Sequence, residues 1–204
     1  LSRDESGVPV LKVYDVKNET LEVLSVEDYL PAVLAGEMAG DWPLEALKAQ
    51  AILARTFVLQ FVSQKTSMYE GADISTDIKE AQAYDAASIN DRIREAVRET
   101  RGLVLNAGGE LPYAWFHAHS GGLTARAKEG LDYEKDEPSY TQCVKGMEND
   151  EAPADAARWE AAFTMEEVIA AAKDSGANID AVESIPIGER GESGRAMTLL
   201  ISGK

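Results

Sequence analysis

Glu37 stands in an otherwise apolar run, Leu30 to Met38 (LPAVLAGEM), just ahead of a long helical pattern. None of its sequence neighbours solvates it or explains it as a surface charge. A carboxylate so placed is costly unless it is neutral, paired or in use. Glu37 is therefore the first candidate for acid–base chemistry.

The segment that follows must position it. Asp41 suits a helix cap and Pro43 a first helical position, and Leu44, Leu47, Ala51, Ala54, Val58 and Phe61 repeat at three- and four-residue spacing. Ile52, Leu53, Phe57 and Leu59 make the remaining faces apolar as well, which predicts a long, central, buried helix to about Ser63. Lys48 and Arg55 lie two turns apart on one face of it. Either they meet Glu37 or an anionic ligand across the Ala39 to Trp42 connection, or they extend their heads to solvent.

The runs VEDYLPAVLAGEM and ALKAQAILARTF, with Pro43 between them, resemble the stage II sporulation protein D family, which includes amidase-enhancer proteins. The resemblance continues in register to FHAHSGGLT, Phe116 to Thr124, and to the pair Gln82 and Tyr84, so it covers most of the chain. It implies a peptidoglycan lytic transglycosylase in which Glu37, the acidic residue of the EM motif, is the catalytic acid/base. One carboxyl suffices for that reaction. The glycosidic oxygen needs a proton to leave, and the sugar's own hydroxyl then closes on the anomeric carbon. Two-carboxylate glycosidases hold a second acid about 5 to 10 Å from the first, and no residue is singled out as a partner for Glu37. An apolar pocket raises a carboxyl's pKa and keeps it protonated for the acid step, after which it accepts the proton of the attacking hydroxyl. A nearby ammonium acts in the opposite sense, so Lys48 and Arg55 are assigned to positioning or to substrate carboxylates.

The second signature reads as a strand, Tyr113 to His117, running into a turn at Ser120, Gly121 and Gly122, where glycines let the backbone approach a ligand. By resemblance, His117, Ser120, Gly121, Gly122 and Thr124 line the substrate cleft together with Gln82 and Tyr84. The alternative is an ordinary Gly-Gly turn after a core strand. His117 and His119 share one strand face and Cys143 lies downstream, the weak outline of a zinc site without a clear third ligand. Many family members carry metal-binding Cys and His residues in the segment equivalent to Asp73 to Tyr84. This chain reads DISTDIKEAQAY there, so neither a metal nor another cofactor is expected. It also departs from the family at His119, where a small hydroxyl residue is common, and in Lys128 to Tyr133, which lacks the usual Val-Trp pair.

The chain has 204 residues, 45% of them hydrophobic, enough for one sizeable core or two closely packed lobes with a cleft between them. Its formal net charge of -16 argues against nucleic acid or an anionic membrane as a partner. The expected partners are glycan strands stripped of stem peptides and a cell-wall amidase. Since wall glycans are anionic, the cleft must be locally positive. The single Cys143 allows no internal disulfide framework. The resemblance implies an extracytoplasmic protein, active in sporulation or in vegetative wall remodelling, whose signal or anchor lies outside this sequence.

The remaining elements are a hairpin from Val8 to Leu24 turning near Asn18, a loop region to Ala87, and a helix from Asn90 to Arg101 closed by Gly102. Leu103 to Asn106 is expected to pair with Leu111 to His117 across Ala107, Gly108 and Gly109. An acidic loop from Glu148 to Ala157, a helix opened by the capping box Thr164 to Glu167, and a last hairpin from Val182 to Ser202 complete the chain. Segregated hairpins and helices without an internal repeat predict an α+β fold, with β-hairpins packed around the long helix. The whole is read as one family domain over 1–204, with a catalytic core at 1–125 and a C-terminal lobe at 126–204.

Overall fold

The computed structural model describes residues 1–131, 133–148 and 158–204. The fold is α+β and divides into two compact units, 1–116 and 117–204. The division falls just before His117, whereas the expected boundary lies at residue 125.

In the first unit, β1 (Val10–Asp15) and β2 (Thr20–Ser25) form the expected antiparallel hairpin, with Val13 opposite Glu22. Leu11 and Val13 point into the core while Lys12 between them faces out, the period-two pattern of a half-buried strand. The turn is held by Asp15, whose Oδ1 accepts from the Lys17 and Asn18 N–H groups. A third strand, β3 (Ile74–Ser75), pairs in parallel with β1 and gives the order β2-β1-β3. It falls inside the expected loop region, because two residues are too few to carry a periodic signal.

The helix α1 (Val26–Glu37) follows β2 directly, with the Ser25 hydroxyl accepting from the Asp28 N–H at 3.1 Å. Glu37 is thus the last residue of a helix of its own, and not part of a connection leading into the next. The helix α2 (Leu44–Gln64) matches the predicted span. Its cap does not: Pro43 occupies that position and no side chain caps the helix. Asp41 stands two residues too early to reach the free amides of the first turn. The helix α3 (Asp91–Glu99) is shorter than the expected 90–101: Asn90 caps it, accepting from the Ile93 N–H at 2.9 Å, and Gly102 turns the chain away at φ +73°. Tyr29, Leu30, Val33 and Leu34 of α1, Leu47, Ala51, Ala54 and Val58 of α2, and Ile93 and Ala96 of α3 close one core over Leu11, Val13 and Ile74.

The expected pairing of 103–106 with 111–117 is absent. It reduces to the turn Ala107–Glu110, and 113–117 is not a strand. The reason lies in α2, whose side chains take the groups a ladder would need. Arg55 donates to the Leu103 carbonyl at 3.0 Å, and the Thr56 hydroxyl accepts from the Leu105 N–H at 2.9 Å.

The second unit holds the short helix α4 (Ala127–Gly130), then α5 (Met165–Asp174), which opens on the predicted capping box of Thr164 and Glu167. The last hairpin appears as β4 (Val182–Ser184) against β5 (Ser202–Gly203), with single bridges at Ile187–Leu199 and Arg190–Ala196. Of the expected acidic loop only Glu148 lies within the described residues. No helix among the described residues is long and apolar enough to cross a membrane.

Candidate active site

The C-terminal end of α1 carries Glu37 to the edge of the first unit, half-buried, where the chain leaves the helix at Met38 in an extended conformation. A negative charge here opposes the helix macrodipole, so the residue is not placed for helix stability. Its Oε1 accepts one hydrogen bond, from the Ala83 N–H at 2.8 Å. Among the described residues Glu37 has no ion pair.

The donor arrives because 82–85 is laid along α1. The Asp85 N–H donates to the Ala32 carbonyl at 2.9 Å, one turn before Glu37. Gly36 permits that approach: a β-carbon there would lie 2.7 Å from the carbonyl carbon of Ala83 and 2.7 Å from the nitrogen of Tyr84. The neighbouring Gln82 is 4% exposed, yet neither its Oε1 nor its Nε2 has a hydrogen-bond partner. Tyr84 is half-buried with its ring 5.5 Å from that of Tyr29, whose hydroxyl is also buried and unpartnered. Burial pushes both phenols above their usual range, followed for Tyr84 by the charges of Glu22 and Asp15, so both stay neutral. The backbone of 82–85 thus runs from Glu37 back along α1, and it carries the Tyr84 ring to Tyr29, about two turns before Glu37. Buried polar atoms without partners are rare. Gln82 leaves an amide able both to donate and to accept.

Lys48 and Arg55 do share a face of α2, but that face meets α3 and the start of α1 instead of Glu37. Arg55 is 1% exposed and grips Glu27 with two bonds, Nε to Oε1 at 2.9 Å and Nη2 to Oε2 at 2.8 Å. Its remaining donors go to the carbonyls of Leu103, Val97 and Ala51. The assignment of Arg55 to substrate is corrected accordingly: a guanidinium with its donors committed inside the core has none left for a ligand. Lys48 bridges Glu45 at 2.7 Å and Glu99 at 2.5 Å, tying α2 to α3. It too is occupied.

The other predicted residues belong to the second unit. Gly121 and Gly122 turn at φ +70° and +101°, a conformation that only glycine adopts freely. The turn is fastened to 142–146: the Thr124 hydroxyl donates to the Gln142 carbonyl at 2.7 Å, the Thr124 N–H to Val144, and the Gly146 N–H to Gly122. Ser120 is buried, its N–H donating to Glu148 Oε1 at 2.6 Å. His117 is exposed, and His119 Nδ1 accepts from the Gly121 N–H at 2.9 Å. Arg195 donates to the carbonyls of Ser120 and Leu123 and holds the loop from the last hairpin. Among the described residues His117, His119 and Cys143 do not converge with further ligands into a metal cluster. Sequence reading missed Arg195, Glu148 and Ala83. Arg195 and Glu148 are distant in sequence, and Ala83 acts through its backbone. Gly36 did leave a signal, a glycine inside an otherwise strong helix.

Residues 14–106 match the sequence profile described as stage II sporulation protein. It is 31% identical over 137 residues to stage II sporulation protein D of Bacillus amyloliquefaciens, covering 61% of this chain and 40% of that protein. To an uncharacterized protein of Brachyspira hyodysenteriae it is 33% identical over 114 residues, 54% of this chain and 31% of the other. A protein of Bacillus subtilis named amidase enhancer shares 35% over 100 residues, 49% of this chain and 13% of its own length. The chain thus spans well under half of the curated relatives it matches.

Proposed function

We propose that this chain is a peptidoglycan lytic transglycosylase with Glu37 as its single acid/base. The observation that carries the reading is the state of that carboxyl: one oxygen is fixed by Ala83, and among the described residues the other has no hydrogen-bond partner and the group has no ion pair. The profile match of residues 14–106 and the similarity to a protein named amidase enhancer support action on the bacterial cell wall, outside the cytoplasmic membrane.

In this reading Glu37 gives its proton to the oxygen linking muramic acid to the next sugar, and the bond from that oxygen to the anomeric carbon breaks. The 6-hydroxyl of the same muramic acid then attacks the anomeric carbon, and its proton passes to the Glu37 carboxylate. The enzyme is restored and a 1,6-anhydro ring closes, with no water consumed. Gln82, with an unspent amide, and the neutral Tyr84 are assigned to the sugar hydroxyls and acetamido groups around the cleaved bond. His117, Ser120, Gly121, Gly122 and Thr124 are assigned to glycan contacts made by the second unit. Lys48 and Arg55 are assigned to the scaffold.

The test is Glu37→Gln on stripped glycan strands, read by mass spectrometry and by strand pull-down. Turnover is expected to vanish while binding persists. Retained turnover overturns the assignment. The second reading, a glycan-binding enhancer of a cell-wall amidase, is favoured by the similarity to the Bacillus subtilis amidase enhancer. It predicts that Glu37→Gln still stimulates an added amidase on intact wall and that the wild type releases no sugar fragments.

A further inference from the structure

Gly36 is exposed and sits in a regular helix at a position that calls for no left-handed backbone, so its own conformation does not require glycine. Alanine is the better helix former at such a site. What glycine permits is contact: a β-carbon would stand 2.7 Å from Ala83 C, 2.7 Å from Tyr84 N and 3.0 Å from Ala83 O, all backbone atoms that no rotamer change moves away. The adjoining Gln82–Ala83 peptide, one residue back, supplies through the Ala83 N–H the only protein hydrogen bond of Glu37 among the described residues.

We propose that Gly36 is a positioning residue for Glu37, admitting the Ala83 peptide so closely to α1 that the Ala83 N–H fixes Oε1 and leaves Oε2 as the oxygen that carries the proton. A protonated carboxyl has one hydroxyl oxygen and one carbonyl oxygen, and the carbonyl oxygen is its better acceptor. An N–H donor at 2.8 Å on Oε1 therefore makes Oε1 the carbonyl and assigns the hydroxyl to Oε2. When Glu37 is ionised, the same bond holds the carboxylate in place to receive a proton at Oε2. The Asp85 N–H to Ala32 bond at 2.9 Å fastens the clamp one turn below, so that the donor is fixed by α1 itself. This inference rests on the acid/base reading for its consequence in catalysis, but the clamp itself is a property of the folded unit.

Two measurements separate the two. In the wild type the Ala83 amide proton resonance follows the titration of the Glu37 carboxyl, and Glu37→Gln abolishes that response. In Gly36→Ala the response is expected to be lost while the rest of the amide spectrum is kept. On stripped glycan strands Gly36→Ala lowers kcat by about 10²-fold, the scale of a misplaced catalytic group, and leaves KM unchanged. Ala83→Pro removes the donor without touching α1 and lowers kcat alike, which covers a Gly36→Ala chain that does not fold. An Ala83 amide that still follows Glu37 in Gly36→Ala, or wild-type kcat in either folded variant, overturns the proposal. If the wild type cleaves no glycan, the enzyme reading fails by itself and the amide titration alone decides the clamp.

Discussion

Arg55→Met removes a guanidinium that is 1% exposed and leaves Glu27, whose side chain is 12% exposed, with the Gly102 N–H at 3.1 Å as its remaining partner. Losing one member of a buried pair strands the other charge, which costs about 3–5 kcal/mol. The Leu103 and Val97 carbonyls lose a donor as well, but Leu103 is exposed and the Val97 carbonyl keeps the Thr100 hydroxyl at 3.3 Å, so the total stays in this range. Glu27→Leu together with Arg55→Met removes both charges and is expected to recover about 2–3 kcal/mol of the loss, the upper part of the coupling seen for residues in contact. The assay is urea unfolding followed by far-ultraviolet circular dichroism, with midpoint and slope fitted separately. In parallel, both variants are titrated with stripped strands below their unfolding range, and wild-type affinity is expected. An Arg55→Met variant within about 1 kcal/mol of wild type would refute the reasoning. So would one that keeps its stability and loses the glycan, since that outcome returns Arg55 to the substrate.

Glu37→Gln removes a negative charge from a helix C-terminus and keeps an oxygen for the Ala83 N–H, so thermal unfolding is expected to leave stability unchanged or higher by about 0.3–1 kcal/mol; a clear loss in calorimetry would show that the charge is structural. Lys48→Met tests the tie to Glu99, whose carboxyl is held below its ordinary 4.5 first by the hydrogen bond from Lys48. A depressed carboxylate contributes stability above the unfolded pKa and loses it as pH falls through the folded one. The stability gap between wild type and Lys48→Met should therefore be present at neutral pH and close below about 4.5, and a gap that does not change with pH would contradict the pairing. Strand binding by Lys48→Met should equal that of the wild type at every salt concentration, measured by co-sedimentation.

The hairpin β1–β2, the span of α2, the presence of α3 and the start of α5 were legible because each rests on local rules, among them the alternation of Leu11 and Val13 and the capping box at Thr164. Glu37 draws notice in the sequence for the opposite reason, a charge set where local rules want none. What stayed hidden depends on distant partners. Glu27 and Arg55 are 28 residues apart, and both look like surface charges until α1 and α2 cross. The Leu103 and Leu105 backbone groups fit a ladder in sequence, yet the side chains of Arg55 and Thr56 reach them first. The donor to Glu37 is a backbone amide of an alanine, a group every residue but proline carries, so no sequence motif announces it.

Glycan strands stripped of stem peptides, digested with the purified chain and resolved by mass spectrometry, test the central claim most directly. The account predicts muropeptide-free fragments that end in 1,6-anhydromuramic acid, formed by the wild type and not by Glu37→Gln. Fragments ending in reducing muramic acid would contradict it by requiring a water nucleophile, and intact strands after prolonged digestion would contradict it by leaving Glu37 without a reaction.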